Sequence, residues 1–211
     1  MVLDGSSDKM DPFSSSEDEA GEVDTSPLKI DWLEHGMCEE KLGISGLPGC
    51  RFKDTWRSLE NDIKYLENAG VTDLFCLCTK GELKKYRVPR FLQQVAESGL
   101  TVHHYAFLDG CTPELSALLK MVDELKVALL NGKQPLIHCF GGLGRSCLVA
   151  VCLLMVMDEA LTPDDAIAKV RELRGPGAIQ SVKQYNFVNE FRQVLAKHNK
   201  DKDDEDRSLS R

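Results

Sequence analysis

The sequence predicts a single α/β domain in which a central, mostly parallel β-sheet is flanked by helices. Its 211 residues, 42% hydrophobic and 28% charged, suit one compact domain with a buried core. Short apolar segments typical of buried strands alternate along the chain with segments of helical spacing. Strands joined by helices build a parallel sheet that is covered on both faces. Because ligands bind outside the carboxyl ends of strands in such folds, we expect the site there.

The first half of the chain contains the patterns of four strands and two helices. Apolar side chains recur at helical spacing from Trp56 onward, which predicts a helix that starts at Thr55 and is closed by Gly70. A shorter helix is predicted over 88–97, with Pro89 in its first turn. Strands are predicted at 28–33, 42–47, 73–78 and 100–105.

The second half of the chain is predicted to be helical around one strand. The strand precedes the most distinctive loop of the sequence and follows the helix stop Asn131-Gly132. The apolar run from Cys147 to Met157 is about half the roughly 20 residues that cross a bilayer, so it predicts a buried helix and no membrane span. The strand is predicted at 135–138 and the helices at 113–130, 144–158, 163–173 and 182–198.

Most of the net negative charge lies in one terminal segment. The formal net charge is -8, and residues 1–26 hold eight acidic side chains against one basic side chain, Lys9. That segment has too few apolar residues to offset the entropy of ordering. We therefore predict a disordered acidic tail over 1–27, a domain over 28–198 and a charged, flexible tail over 199–211. The near-neutral remainder argues against nucleic acid as a partner, since phosphate backbones require a concentrated basic face.

The N-terminus and the cysteines indicate the compartment. The first residues, from Met1 to Gly5, have neither the basic nor the apolar stretch of a signal peptide, so we expect a cytoplasmic protein, perinuclear and nuclear locations included. Without a secretory signal, the eight cysteines are expected to be free thiols. Cys76 and Cys78 have no second pair or His cluster at metal-ligand spacing, so no metal and no other cofactor is expected.

The segment from His138 to Ser146 carries the strongest chemical signal. It follows a predicted strand, contains three glycines within four positions, and precedes an apolar helix. Glycines let the backbone curl so that several N–H groups converge, and the helix aims its positive N-terminus at the same point. A cysteine at that point, Cys139, becomes a stabilised thiolate and a strong nucleophile. The predicted anion-binding loop consists of Phe140, Gly141, Gly142, Leu143, Gly144 and Arg145.

Side chains around this loop can supply the other groups that phosphoryl transfer needs. Arg145 has a planar fork that can hold two phosphate oxygens and follow their charge in the transition state. Ser146 is expected to donate its hydroxyl to the cysteine sulfur when the sulfur departs. Asp109, beside the flexible Gly110, follows a strand that we expect near the strand leading to Cys139, and is the candidate general acid.

Several motifs together resemble a known superfamily. Cys139 after His, five intervening residues and Arg145-Ser146, with an Asp-Gly loop thirty residues upstream, resemble the protein tyrosine and dual-specificity phosphatases. Within that superfamily the chain resembles the kinase-associated phosphatase family, also called cyclin-dependent kinase inhibitor 3, over about residues 28–198. The segments that carry this narrower resemblance are 78–83, 85–89, 138–146 and 177–180.

The resemblance implies a cysteine-based phosphatase fold and a dual-specificity activity that proceeds through a phosphocysteine. The implied partner and substrate is a phosphorylated cyclin-dependent kinase, which would lose the phosphate of its activation-segment threonine and so restrain the cell cycle. Residues 180–184 also resemble the Gln-Thr-x-x-Gln loop with which tyrosine phosphatases position hydrolytic water, with Ser181 in place of Thr. Gln180 is the candidate for that role. We expect a monomer that uses no cofactor and binds no membrane.

Two other kinds of function stay open. A phosphoinositide phosphatase or an RNA 5′-phosphatase could use the same loop, but both would favour positive charge there, and residues 140–144 carry none. A non-catalytic module could instead restrain a kinase by contact alone, although the presence of Cys139, Arg145 and Asp109 argues for turnover. Cys78 could form a reversible disulfide with Cys139 or be a buried core thiol.

Overall fold

The computed structural model describes residues 22–209, with side chains described up to residue 200. In that range the chain forms a five-stranded sheet, a two-stranded hairpin and seven helices. In chain order the elements are β1 (Ile30–Leu33), β2 (Leu42–Ser45), β3 (Arg51–Phe52), β4 (Thr55–Trp56), α1 (Leu59–Asn68), β5 (Asp73–Cys76), α2 (Lys80–Lys85), α3 (Phe91–Glu97), β6 (Thr101–His104), α4 (Leu115–Leu130), β7 (Pro135–His138), α5 (Arg145–Met157), α6 (Pro163–Arg174) and α7 (Val182–Leu209).

The large sheet has the strand order β1-β2-β7-β5-β6. Only β1 and β2 pair antiparallel; β2, β7, β5 and β6 run parallel. The prediction of a mostly parallel sheet flanked by helices is therefore confirmed. The register places both Ser45 and Cys76 opposite His138, so the carboxyl ends of three strands meet just before Cys139.

Apolar side chains cover both faces of this sheet. Along β7, Leu136 packs with α1, α2 and α3 on one face, and Ile137 packs with α4, α5, α6 and α7 on the other. Helix α5 is buried from Arg145 to Met155, which confirms the buried helix that the apolar run predicts. Burial of each aliphatic side chain of this helix contributes about 1.5–3 kcal/mol to the stability of the fold. The loop that precedes α5 is therefore attached to a rigid element. No helix in residues 22–209 is long and apolar enough to span a membrane.

The helix predicted from Thr55 begins later than expected. Thr55–Trp56 instead forms a hairpin with Arg51–Phe52, and the Trp56 indole donates to Lys53 O at 2.9 Å. Helix α1 starts after Ser58, whose hydroxyl accepts the N–H of Asn61 at 3.4 Å. An apolar residue at the edge of a periodic pattern fits a strand as well as a helix, and here the serine cap marks the true boundary.

The two predicted tails differ in what the structure describes. Residues 1–21 lie outside the described residues. Asp24 and Ser26, at the end of the predicted N-terminal tail, bind Arg57: its guanidinium donates to Asp24 Oδ2 at 2.8 Å and to Ser26 O at 2.7 Å. These contacts form because the Arg57 side chain is nearly buried and its donors need acceptors. Helix α7 continues to Leu209, past its predicted end at residue 198, because no Gly or Pro stops the charged segment.

Candidate active site

The loop between β7 and α5 forms a compact anion-binding cradle. Cys139 is the first residue after β7 and is only 2% exposed. The N–H of Gly142 donates to Cys139 Sγ at 3.2 Å, and Gly144 caps the N-terminus of α5. Gly142 has a φ of 67°, and a Cβ there would lie 2.5 Å from both Arg174 Nη2 and Ser45 O. Only glycine therefore fits at this point of the predicted loop.

One side chain and two carbonyl groups of the loop make contacts on the outside of the cradle. The ring of Phe140 stacks on Tyr86 at 4.1 Å between centroids, with an interplanar angle of 13°. The carbonyl of Phe140 accepts the N–H of Leu47 at 3.0 Å. The carbonyl of Leu143 accepts the N–H of Ile179 at 3.0 Å. Because the Phe140 ring and both carbonyls have partners outside the cradle, the N–H of Gly142 is free to face the sulfur.

Arg145 lies fully buried beside the cradle and is held on several sides. Its Nη1 donates to Leu77 O and Phe107 O, each at 3.0 Å, and its Nε lies 3.3 Å from Asp109 Oδ1. Burial disfavours its charged form, but Glu82 and the neighbouring Cys139 outweigh that effect, so the pKa of Arg145 lies above its ordinary value. A permanent positive charge is thus aimed at the site.

The carboxylate that pairs with Arg145 is Glu82, which the sequence predictions missed. Glu82 Oε1 accepts from Nη2 at 2.6 Å and Oε2 accepts from Nη1 at 2.9 Å, a bidentate pair. Oε2 also accepts the N–H of Thr79 at 2.9 Å, which closes a capping box at the start of α2. Burial would raise the pKa of Glu82, but hydrogen bonds from Arg145 and Thr79 lower it overall. The sequence signal was Thr79-Lys80-Gly81-Glu82 directly after a strand.

Asp109 lies beside Arg145 at the rim of the cradle. The strand before it, β6, is the edge strand and is separated from β7 by β5, so the two strands are not neighbours. The loop after β6 crosses the end of β5, and Phe107 N donates to Leu77 O at 3.4 Å. The Asp109 side chain is 61% exposed and adjoins Arg145 Nε. Gly110, with a φ of 70°, takes the left-handed conformation in this turn.

The start of α7 holds the Asp109 loop in place. Ser181 Oγ donates to Gly110 O at 2.7 Å, and Gln184 Nε2 donates to Cys111 O at 3.3 Å. Gln184 is buried, and its Oε1 accepts the N–H of Gln180 at 3.0 Å. The Gln180 side chain lies over the loop, since a Cβ at Gly144 would lie 2.8 Å from Gln180 Oε1. The structure therefore brings Gln180 to the cradle, next to the predicted catalytic groups.

One expected contact of the cradle is absent among the described residues, and the Cys78 thiol is free. Ser146 Oγ is buried and has no hydrogen-bond partner among the described residues, so the expected contact with the cysteine sulfur is not formed. The Cys78 thiol is fully buried, as a core thiol would be. A hydrogen bond with Cys76 and burial raise the pKa of Cys78, and the charges of Arg145 and Cys139 act on it, so it lies near the cradle.

Comparison with known proteins adds the family. The family model described as "Cyclin-dependent kinase inhibitor 3 (CDKN3)" matches residues 4–167. The human protein named cyclin-dependent kinase inhibitor 3 is 45% identical over 201 residues, 94% of this chain and 95% of its own length. The protein of the same name from Rattus norvegicus is 43% identical over the same shares.

Solved structures give the same relationship. A crystal structure of kinase-associated phosphatase, in which serine replaces the catalytic-site cysteine, matches with a TM-score of 0.80 and 44% identity, covering 82% of this chain and 98% of that chain. The active form of Tk-PTP matches with a TM-score of 0.62 and 26% identity, covering 74% of this chain and 93% of that chain.

The parallel sheet, the glycine-rich cradle and the buried arginine define a class. The molecule is a cysteine-based phosphatase of the dual-specificity and protein tyrosine phosphatase class. Within that class, the chain belongs to the cyclin-dependent kinase inhibitor 3 family.

Proposed function

We propose that this chain hydrolyses phosphothreonine, phosphoserine and phosphotyrosine in proteins through a phosphocysteine, with Cys139 as nucleophile. The observation that carries the proposal is the convergence of three groups on one cradle: the Cys139 sulfur with the N–H of Gly142, the buried Arg145 and the exposed Asp109. The loop N–H groups of residues 140–144 and the Arg145 fork bind the phosphate. Asp109 is the general acid, at the open side where a leaving group would emerge.

In the first chemical step the thiolate of Cys139 attacks phosphorus. The S–P bond forms, the P–O bond to the substrate side chain breaks, and Asp109 gives its proton to the departing oxygen. Arg145 stabilises the equatorial oxygens as negative charge accumulates on them. The Glu82 pair orients that guanidinium before substrate arrives.

In the second step water releases the phosphate. The Asp109 carboxylate takes a proton from water, the new P–O bond forms, and the S–P bond breaks to restore the thiolate. Gln180 positions that water, because its side chain lies beside Gly144 at the cradle. Ser146 donates to the departing sulfur; its buried hydroxyl has no other partner among the described residues to compete for it.

The proposed substrate is the phosphorylated activation-segment threonine of a cyclin-dependent kinase. Support comes from the relatives, which are named cyclin-dependent kinase inhibitor 3, and from the matched structure, which is named kinase-associated phosphatase. Removal of that phosphate would lower kinase activity and restrain the cell cycle. We propose that the protein acts as a monomer and that it is located in the cytoplasm, the perinuclear region or the nucleus.

The first experiment compares the full-length chain with Cys139→Ser on a panel of substrates. The panel contains a folded cyclin-dependent kinase phosphorylated on its activation segment, peptides with phosphothreonine or phosphotyrosine, a phosphoinositide and an RNA 5′-triphosphate. We expect the full-length chain to release phosphate from the kinase faster than from the peptide. Cys139→Ser should release none while still binding the phosphorylated kinase, because the backbone cradle remains.

Each alternative has its own outcome in that panel. Faster turnover of the phosphoinositide or the RNA would replace the protein substrate. Equal inhibition of the kinase by the full-length chain and by Cys139→Ser, without phosphate release from either, would identify a binding module. Retained turnover in Cys139→Ser would refute the role of the cysteine.

A further inference from the structure

We propose that Arg174, which lies outside the cradle, is a positioning residue that orients the backbone N–H groups of the phosphate loop toward Cys139. The inference rests on the proposed function, since it concerns the same loop. Arg174 is the last residue of α6, and its side chain is only 7% exposed. Nothing in its sequence surroundings marks it, because an arginine in the last turn of a helix is common.

Arg174 binds two consecutive carbonyl groups of the loop. Its Nη2 donates to Gly141 O at 3.2 Å, and its Nε donates to Gly142 O at 3.0 Å. Its Nη1 binds Asp31 on β1, so the guanidinium is anchored to the sheet on its far side. The side chain thus links the end of α6, an outer strand and the loop that holds Cys139.

The geometry of the peptide unit couples the contact of Arg174 with a loop carbonyl to the direction of the N–H group in the same peptide. In a planar trans peptide the C=O and the N–H point in opposite directions. The peptide that joins Gly141 to Gly142 has its oxygen on Arg174 and its N–H on Cys139 Sγ, at 3.2 Å. A donor that fixes the oxygen outward therefore keeps the N–H inward, toward the sulfur and the phosphate position.

The charge of Arg174 acts through the same peptide. A cation on the carbonyl oxygen polarises the peptide and strengthens the hydrogen bond that its N–H donates. The second contact, on Gly142 O, turns the N–H of the next peptide, that of Leu143, away from Arg174 in the same manner. Gly142 O also accepts from Cys147 Sγ at 3.4 Å, so this carbonyl has two outer partners.

Arg174 and Arg145 therefore have different tasks at one loop. Arg145 is bound by Glu82 on the side of α2 and faces the phosphate directly. Arg174 contacts the loop from the side of α6 and binds its carbonyl oxygens. Loss of Arg174 should leave the fork of Arg145 intact while making the N–H groups of the loop less well directed.

The test measures the sulfur and the cradle without turnover. The rate of Cys139 alkylation by iodoacetamide is followed from the mass of its peptide across pH, in the full-length chain and in Arg174→Gln. We expect alkylation at neutral pH to slow by about threefold to tenfold, because a destabilised thiolate is less populated. The midpoint of the alkylation curve should move to higher pH. Inorganic phosphate should protect Cys139 only at several-fold higher concentration.

The change in the pH midpoint of alkylation can be assigned to Arg174, because the other charged groups near the sulfur are kept. Arg145, Cys78 and Cys147 interact electrostatically with Cys139, and all three remain in Arg174→Gln. Glu82 and Asp109 reach the sulfur through their pairing with Arg145 and also remain. Arg174→Gln also removes the Arg174 charge, which acts on the neighbouring Cys147, so the loop backbone is reported by the part of the midpoint shift that remains in Arg174→Lys, which keeps that charge.

Arg192→Gln is the matched control, because the Arg192 guanidinium also binds two carbonyls, Asp158 O at 2.9 Å and Leu161 O at 2.7 Å, away from the loop. It should alkylate as the parent chain does. Arg174→Lys keeps the charge with fewer donors, so its Cys139 alkylation rate should lie between those of Arg174→Gln and the parent chain. If Arg174→Gln does not fold, Arg174→Lys takes its place in the test.

Two outcomes would overturn the proposal. One is a lower melting temperature in both Arg174 variants with unchanged alkylation and phosphate protection, which would make Arg174 a structural residue. The other is an equal effect of Arg192→Gln. Because these readouts involve no turnover, they are independent of whether Cys139→Ser abolishes activity.

Discussion

The phosphate loop and the Asp109 loop meet at one site but are built in opposite ways. Cys139 and Arg145 are 2% and 0% exposed, and the helix that follows them is buried along most of its length. Asp109, by contrast, has a side chain that is 61% exposed, and the preceding Leu108 is 68% exposed. The first loop belongs to the core of the molecule, and the second lies on its surface.

The difference assigns distinct physical tasks to the two loops. A phosphate cradle must hold its donors in place before the ligand arrives, and the core packing around α5 supplies that rigidity. A general acid must meet leaving groups of different shapes, which a loop on a few hydrogen bonds permits. Within the described residues those bonds include contacts with Leu77, Arg145, Ser181 and Gln184. Variants in the two loops should therefore fail differently.

The largest effect is expected from Arg145→Lys, in the buried loop. A lysine cannot bind two phosphate oxygens with one planar group, nor reproduce the bidentate pair with Glu82. We expect kcat/KM on a small aryl phosphate to fall by about 10³-fold. Arg192→Lys, on the surface of α7, is the control and should retain the parent value. A loss of only a few-fold in Arg145→Lys would show that the fork is not required.

Asp109→Asn, in the exposed loop, should lower the turnover of one class of substrate more than that of the other. An alkoxide leaving group needs a proton, whereas an activated aryl leaving group departs without much assistance. We expect a fall of about 10²-fold on phosphothreonine and less than about tenfold on aryl phosphate. Asp123→Asn, on the exposed face of α4, should change neither rate. Equal losses on both substrates would assign Asp109 a structural role beside Arg145.

The buried loop was also the part most readily predicted from sequence. Its strand, its three glycines and its apolar helix are consecutive, so local pattern sufficed to predict Cys139, the cradle and Arg145. Glu82 was missed, because a partner that lies 63 residues away reaches Arg145 only through the fold. Helix α2, which this capping box begins, was not predicted either, and nothing local showed that its glutamate also faces an arginine.

Boundaries and side-chain contacts were less predictable than elements. Trp56 fits helical spacing, but it pairs in a hairpin because the cap of the helix is Ser58. Helix α7 runs beyond residue 198, since charged residues are compatible with helix formation. The expected Ser146 contact with sulfur depends on a rotamer, which sequence does not determine.

Glu82→Gln tests whether the rigidity of the buried loop depends on this distant partner. The amide keeps some hydrogen bonds but leaves the buried Arg145 charge with the exposed Asp109 in place of its bidentate partner, so we expect about 1–3 kcal/mol lower unfolding free energy and about tenfold lower kcat/KM. Urea unfolding and aryl phosphate kinetics measure the two effects. Glu60→Gln, which breaks an exposed pair with Lys64, is the control and should change little.

The Glu82 effect should also depend on pH, with a defined sign. Its pKa is lowered in the folded chain, so its stabilising contribution is present above the unfolded pKa and is lost as pH falls through the folded one. The difference in unfolding free energy between the parent and Glu82→Gln should therefore narrow below about pH 4.3. A difference that widened on acidification would contradict the pairing with Arg145.

The smallest effect is expected from Ser181→Ala, in the contact that holds the exposed loop. The Ser181 hydroxyl donates to Gly110 O at 2.7 Å and accepts the N–H of Gln184 at 3.1 Å, so it both fixes the Asp109 loop and caps α7. Alanine removes both contacts at a cost of about 1 kcal/mol in stability. Turnover of phosphothreonine should fall by about threefold, while aryl phosphate turnover stays the same.

Thr162→Ala distinguishes the loop contact from the cap. The Thr162 hydroxyl accepts the N–H of Asp165 at 3.2 Å at the start of α6, so its loss costs a cap without touching the Asp109 loop. Both variants should lose similar stability, but only Ser181→Ala should change the ratio of the two turnover rates. In the Asp109→Asn background, Ser181→Ala should have no further effect on phosphothreonine, because the acid that it positions is absent. A changed ratio in Thr162→Ala, or a further loss in the double variant, would mean that the exposed loop is not held through Ser181.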